Sequence, residues 1–108
     1  MNLPTEIFGD VIVVHAPEEL TDDHAEAFES FVTSLERSRV ILDLDSTESL
    51  DSRGLEALLT SREVLQHLDG DIKISTTIKM NRKILEITRL DHDLEIFDSV
   101  IDAVKSYT

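Results

Sequence analysis

Residues 40–59 read VILDLDSTESLDSRGLEALL and place a short apolar run, a polar loop and a helical pattern in direct succession. The run from Val40 to Asp45 is too short for a helix and is rich in β-branched and aliphatic residues, which is typical of a buried strand. A polar loop follows from Ser46 to Ser49, and beyond Asp51–Gly54 a helix is predicted. Its apolar residues recur at helical spacing: Leu55, Leu58, Leu59, Leu65 and Leu68. A strand followed so closely by a helix favours the α/β class.

The residues before this stretch predict a hairpin and then a helix. Glu6–Phe8 and Val11–Val14 flank Gly9-Asp10, and a Gly-Asp pair suits a tight turn between antiparallel strands. Pro17 ends the second strand because proline lacks the N–H that a ladder needs. Asp22 opens a helix whose apolar residues fall on one face: Ala25, Phe28, Phe31, Val32 and Leu35.

The residues after it continue the alternation of strands and helices. The predicted elements are a turn at Asp69–Asp71, a strand at Ile72–Ser75, a helix from about Asn81 to Leu90, a strand at Leu94–Phe97 and a helix at about Val100–Ser106. The first of these two helices would place Ile84, Leu85 and Ile87 inward. The order ββαβαβαβα predicts an α/β fold, or α+β on strict accounting, with a mixed, mostly parallel sheet of about five strands and packed helices. No linker or repeat interrupts residues 1–108, so we expect a single domain.

The composition excludes several classes of protein. The chain has 108 residues, no Cys and a formal net charge of −13. Without cysteine there is no disulfide, thiol catalysis or thiolate metal site, and a strongly acidic chain is a poor match for a nucleic-acid backbone. No apolar run approaches the roughly 20 residues needed to cross a bilayer, and no charged-then-apolar leader opens the sequence. We therefore expect a soluble, cytoplasmic protein that neither binds nucleic acid nor inserts into a membrane.

The charges are unevenly distributed along the chain. Residues 1–36 contain nine acidic residues and no Lys or Arg, whereas all 10 basic residues lie in the other part. This asymmetry has two interpretations, namely solubility alone or an acidic surface that attracts a basic protein partner.

The start of the second long helix is the most informative candidate site. At Asp51-Ser52 the first helical N–H groups lack partners and the helix dipole is positive, so a phosphoryl group on Ser52 would be well placed. Thr47 and Ser49 precede the helix start, and phosphate on either would miss these N–H groups. The structural alternative is that Asp51 or Ser52 only caps the helix and that Gly54 only allows close approach of helix and sheet.

The stretch resembles the STAS family, named for sulphate transporters and anti-sigma factor antagonists. Members carry a hydrophobic strand that ends in Asp-Leu and, after a short loop, Asp-Ser-Ser-Gly-Leu at a helix start. Here Leu42-Asp43-Leu44 is followed by Asp51-Ser52-Arg53-Gly54-Leu55 at the usual spacing. The likeness covers nearly the whole chain and implies a STAS-like fold in a small bacterial-type signalling protein without enzymatic activity.

The resemblance also implies a role for Ser52. In the antagonists of this family, the first Ser of the motif is phosphorylated by an ATP-using serine kinase that is also the anti-sigma factor. The unphosphorylated protein binds this kinase and frees the sigma factor for transcription, and phosphate breaks the complex. Ser52 matches the acceptor, and Asp51 would shape its electrostatics. The candidate partner-binding residues are Asp51, Arg53, Gly54, Glu18, Glu19, Thr21, Asp22 and Asp23.

Two positions depart from the family pattern. Arg53 replaces the second Ser of the motif, and it could pair with a phosphate on Ser52 or alter the contact with the kinase. The loop before the first long helix usually reads Gly-Glu-Leu-Asp, and the family's Asp falls on Thr21, although Asp22 and Asp23 follow at once.

Within the family there is a second interpretation of function. Stand-alone STAS domains also act as scaffold members of signalling assemblies or as docking subunits of lipid-transport ABC ATPases. Those roles use the same helix-start surface, with or without phosphorylation.

Metal binding and catalysis are weaker alternatives. Asp43, Asp45 and Asp51 could coordinate Mg²⁺ through carboxylate oxygens, although solvated loop acids are the simpler interpretation. The histidines share no ligand spacing, so we expect them to be surface residues or hydrogen-bonded structural ones: His15, His24, His67 and His92. Gly-x-Ser-x-Gly, P-loop and Rossmann patterns are absent, so we predict no catalytic activity, no metal and no cofactor.

Overall fold

The computed structural model describes every residue from Met1 to Thr108 and contains seven strands and four α-helices. The strands are β1 Thr5–Phe8, β2 Val11–His15, β3 Glu19–Leu20, β4 Arg39–Asp43, β5 Ser49–Leu50, β6 Asp71–Ser75 and β7 Ile96–Phe97. The helices are α1 Asp22–Thr33, α2 Ser52–Gln66, α3 Lys79–Ile87 and α4 Val100–Lys105, with a 3-10 turn at Leu90–His92.

Five strands form the main sheet in the order β1-β2-β4-β6-β7. β1 pairs with β2 antiparallel, and every other pair is parallel. The hairpin turns at Gly9, whose φ of 63° costs glycine little because it has no Cβ. The mixed, mostly parallel sheet of five strands with packed helices is thereby confirmed.

The two faces of the sheet are covered unequally. Ile12 and Val14 point into the larger core of 19 buried residues, which also takes in the buried faces of α1, α2 and α3. Val11 and Val13 point the other way, because side chains alternate along a strand, and they pack with Ile41 and Ala103 beneath α4. One short helix thus covers a face of the sheet, whereas three helices cover the opposite face.

The residues after α4 fasten that helix to the sheet. The buried Lys73 of β6 donates from Nζ to the Ser106 hydroxyl at 2.8 Å, and the same nitrogen lies 4.2 Å from the centre of the Tyr107 ring. The Tyr107 hydroxyl lies 2.9 Å from the Val40 carbonyl and 2.8 Å from that of Asp71. Burial, followed by the charge of Asp71, raises the pKa of Tyr107 above its ordinary value, so the hydroxyl remains a hydrogen-bond donor.

A second, two-stranded sheet was not predicted from the sequence. β3 and β5 pair in parallel, with Glu19 opposite Ser49 and Leu20 opposite Leu50. Ser49, which we expected to lie in a polar loop, is therefore the first residue of a strand. Two residues are too few to show the alternation by which strands are recognised.

Several predicted boundaries and orientations were wrong. Leu68 was expected on the apolar face of α2, but α2 ends at Gln66 and Leu68 is 60% exposed. Ile87 was expected to point inward, but it is 69% exposed, because Asn81 and Leu85 one turn apart form the buried side of α3. Other element bounds also differ from the prediction: β1 begins at Thr5, β2 ends at His15, α1 ends at Thr33 and so excludes Leu35, β4 runs from Arg39 to Asp43, β6 begins at Asp71, α3 runs from Lys79 to Ile87, β7 begins at Ile96 and α4 ends at Lys105.

Candidate functional site

The short parallel sheet brings the starts of two helices together. β3 leads into α1 and β5 leads into α2. Because the two strands run side by side in the same direction, their helices begin at the same end of the molecule. The candidate phosphorylation site, Ser52, is the first residue of α2 and is exposed at this end.

Asp51 joins the two helix starts through its carboxylate. It is the N-cap of α2, and its Oδ1 accepts a hydrogen bond from the Gly54 N–H at 2.8 Å. Its Oδ2 accepts from the N–H of Asp22, the first residue of α1, at 3.0 Å. Thr21, the N-cap of α1, makes no capping hydrogen bond with its own side chain. Asp51 thus satisfies backbone donors in both helices.

The same hydrogen bonds keep the Asp51 carboxylate, next to Ser52, in its ionised form. The N–H groups of Gly54 and Asp22 stabilise the ionised carboxylate and lower the pKa of Asp51 below its ordinary value. Asp51 is therefore ionised at neutral pH. Since Asp51 supplies the cap, the Ser52 hydroxyl is left exposed at the helix start.

Gly54 lies against the backbone of β3. A Cβ built on Gly54 would come within 1.9 Å of the Leu20 carbonyl oxygen, far below any normal contact. The absence of a side chain is what allows the first turn of α2 to approach β3 so closely.

Arg53 points toward α1 and is paired there. Its Nη1 donates to Oε1 of Glu29 at 2.9 Å, and this hydrogen bond raises the pKa of Arg53 above its ordinary value. A phosphate on Ser52 would therefore compete with Glu29 for this guanidinium.

The structure brings the other candidate partner-binding residues to the same end of the molecule. The backbone carbonyl of Glu18 accepts hydrogen bonds from the N–H groups of Glu48 and Ser49 at 2.7 and 3.2 Å. The backbone N–H of Asp22 donates to the Asp51 carboxylate. The side chains of Glu18, Glu19, Asp22 and Asp23 are exposed, and Thr21 is half-buried. Glu18, Glu19, Asp22 and Asp23 therefore form an exposed acidic rim at the same end of the molecule as the start of α2.

The three aspartates considered as magnesium ligands do not converge. Asp43 accepts from the Asp45 N–H at 3.0 Å, and Asp45 accepts from the Thr77 N–H at 2.6 Å. Asp51 is occupied with the two helix starts. No group of three or more His, Asp or Glu side chains is arranged to hold a metal ion.

His15, at the end of β2, lies between a carboxylate on β1 and a carboxylate on β4. Its Nδ1 is 2.8 Å from Oδ2 of Asp43, and its Nε2 is 2.7 Å from Oε1 of Glu6. Burial lowers the pKa of His15, but the hydrogen bonds and charges of Glu6 and Asp43 outweigh burial, so the pKa lies above 6.5. The protonated ring can donate from both nitrogens and so join β1 to β4 through β2.

Sequence reasoning missed two buried polar residues near the site. Thr47 was considered only as a loop hydroxyl, yet it is buried and donates to the Pro17 carbonyl at 2.8 Å. Asn81 was considered only as a helix start, yet its buried side chain donates to two carbonyls of the segment before β5. A polar residue one turn before the inward-pointing Leu85 is the sequence signal that could have revealed Asn81.

None of the helices combines the length and apolar character that crossing a membrane requires.

Comparison with known proteins identifies one family. The family model described as STAS domain matches residues 2–103. A Thermotoga neapolitana protein, provisionally named an anti-sigma factor antagonist, is 24% identical over 106 residues, which span 94% of this chain and 94% of that protein.

Solved structures of anti-sigma factor antagonists share the fold. The crystal structure of one from Mycobacterium paratuberculosis has a TM-score of 0.85 at 23% identity, covering 97% of this chain and 92% of that one. The antagonist SpoIIAA in its unphosphorylated form has a TM-score of 0.79 at 14% identity, covering 98% of this chain and 96% of that one. The phosphorylated form of SpoIIAA from Bacillus has a TM-score of 0.72 at 14% identity, covering 99% of this chain and 100% of that one.

Proposed function

This chain belongs to the STAS domain family, and we propose that it acts as an anti-sigma factor antagonist that is switched off by phosphorylation of Ser52. In this proposal residues 1–108 work as one STAS domain in the cytoplasm and bind a protein that is both serine kinase and anti-sigma factor. The single observation that carries the proposal is that Asp51 provides the helix cap, while the neighbouring Ser52 hydroxyl is exposed at the start of α2.

The kinase would supply the chemistry, and this chain only the acceptor. The Ser52 oxygen attacks the γ-phosphorus of ATP, the bond to ADP breaks, and the serine proton passes to the kinase or to water. No catalytic base, metal or cofactor of this chain is needed.

Electrostatics would make the added phosphate a strong signal. It brings about −1.5 to −2 charge at neutral pH, next to the ionised Asp51 and at the same end of the molecule as the acidic rim of Glu18, Glu19, Asp22 and Asp23. A basic kinase surface docked on Thr21, Arg53, Gly54 and this rim would have to accommodate a dianion at its centre. Docking would strip water from that dianion, which is costly, and would remove the solvent that screens its repulsion by the nearby carboxylates, so both effects oppose binding.

The proposal is tested with three baits in lysate of the source organism, namely wild type, Ser52→Asp and Ser49→Asp. Ser49 is exposed on β5, so Ser49→Asp adds the same charge three positions away from the acceptor. We expect wild type and Ser49→Asp to retain an ATPase of the histidine-kinase-like type, and Ser52→Asp to lose it.

Two results would contradict the antagonist switch. The first is equal capture of that kinase by all three baits, or a phosphopeptide map that places phosphate on Ser49 instead of Ser52. The second is capture of a transporter ATPase or a large assembly by all three baits, which would favour the scaffold or docking-subunit interpretation.

A further inference from the structure

A buried carboxamide fixes the segment that leads to Ser52. Asn81 lies in the first turn of α3 and is 3% exposed. Its Nδ2 is 3.1 Å from the carbonyl oxygen of Leu44 and 2.9 Å from that of Thr47. A primary amide carries two N–H groups, so both of its donors are used on this one segment.

The two carbonyls depend on Asn81 to different degrees. The Leu44 carbonyl also accepts from the Thr47 N–H at 3.0 Å, which closes a tight turn. The Thr47 carbonyl has no other donor in the chain. Without Asn81, a carbonyl in a buried position would lose its partner, and the turn would have to open toward water.

The opposite side of the same segment is attached to β3. The Thr47 hydroxyl donates to the Pro17 carbonyl at 2.8 Å, and the Glu48 N–H donates to the Glu18 carbonyl at 2.7 Å. β5 then pairs with β3 and ends at Leu50, directly before the N-cap Asp51. The residues from 44 to 50 are thus held between α3 and β3, and they deliver the chain to Ser52.

We propose that Asn81 is a positioning residue for Ser52. It does not contact Ser52 but fixes the 44–50 segment, and thereby the place at which the Ser52 hydroxyl is presented. The biological meaning of this role rests on the proposed function, since presentation matters most if a kinase must reach Ser52. Asn is the side chain suited to the task, because Asp has no N–H to donate, Leu has no polar atom and Gln is one methylene longer.

The test uses the absence of cysteine in this chain. Ser52→Cys introduces a single thiol at the start of α2, where the reactivity of a thiol depends on its position at the helix terminus. The substitution Asn81→Leu, similar in size and without donors, is made in this background. Leu85→Val is the matched control, because Leu85 is buried one turn further along α3 and makes no side-chain hydrogen bond.

Two quantities are measured in the three proteins. The first is hydrogen exchange at the amides of Thr47, Glu48 and Ser49, and the second is the rate of thiol modification by a disulfide reagent across pH. For Asn81→Leu we expect the protection of these three amides to fall about tenfold or more when it is compared with the protection of the β6 amides in the same protein. We also expect the thiol rate to change about twofold or more. Leu85→Val should leave both quantities near the parent values.

The inference is overturned if segment protection in Asn81→Leu matches that in Leu85→Val, or if protection falls while the thiol rate stays constant. If Asn81→Leu does not fold, Asn81→Ala removes both donors without adding bulk or charge and is judged by the same two measurements. Both quantities are independent of any kinase. Suppose that both measurements give the expected result but Ser52 is never phosphorylated in cells. The proposed function would then be contradicted, and the positioning role of Asn81 would stand.

Discussion

The substitution Gly54→Ala should destabilise the protein through one backbone contact. The added methyl carbon would sit 1.9 Å from the Leu20 carbonyl oxygen, so α2 or β3 would have to move by more than about 1 Å to restore a normal contact. Overpacking of this kind costs about 1–3 kcal/mol and sometimes more. Alanine is the better helix former by about 1 kcal/mol, which offsets part of that cost. Because the obstacle is backbone, which cannot rotate away, we expect a net loss of about 2 kcal/mol in the free energy of unfolding.

Urea unfolding followed by circular dichroism measures this loss, with Gly9→Ala as the matched control. A Cβ on Gly9 meets nothing within 4 Å, so that variant bears only the cost of its left-handed backbone, about 1–2 kcal/mol. The clash at Gly54 should also disturb the first turn of α2, and the amide signal of Asp22, bonded to Asp51, should shift only in Gly54→Ala. A Gly54→Ala protein as stable as wild type would refute the contact with Leu20 as the reason for glycine at this position.

Two further predictions concern the sheet. The folded state binds the His15 proton more tightly than the unfolded chain, so the stabilisation from His15 is complete below pH 6.5 and is lost as pH rises through the higher folded-state pKa. The difference in urea midpoint between wild type and His15→Gln should therefore shrink from pH 6 to pH 9, and a difference that grows would contradict the paired geometry with Glu6 and Asp43. Tyr107→Phe removes the hydroxyl that faces the Val40 and Asp71 carbonyls, and we expect it to lower the free energy of unfolding by about 1–2 kcal/mol. Unchanged stability in the same urea assay would show that these carbonyls do not need the hydroxyl.

The sequence was sufficient to predict the elements whose periodicity is strong. β2 and α1 carry long apolar patterns: β2 was located to within one residue of its observed bounds, and α1 begins at the predicted Asp22. The pair β3–β5 could not be predicted, because two residues carry no period and their partners are 30 positions apart. The orientation of Ile87 was predicted wrongly because α3 is too short for its apolar residues to define the buried side clearly. The polar Asn81 lies on that side, and Ile87 is exposed.

The candidate site shows the same division between local and tertiary information. Local sequence was enough to identify a helix start with a serine at its first position and an aspartate before it. It could not show that the Asp51 carboxylate also serves α1, or that Arg53 is paired with Glu29, because both contacts join residues more than 20 positions apart. Only the fold brings those groups together.

The strand order of the main sheet has a consequence for how the protein folds during synthesis. Each strand in the order β1-β2-β4-β6-β7 pairs with the main-sheet strand that was made just before it. The sheet can therefore grow outward from the hairpin as the chain emerges from the ribosome, and no late strand has to be inserted between two that are already paired. At each stage the most recently added strand forms the edge that pairs with the next strand, and β7 is the last strand to be added to the main sheet. Helix α4, which emerges after β7, then covers the second face of a sheet that is already assembled.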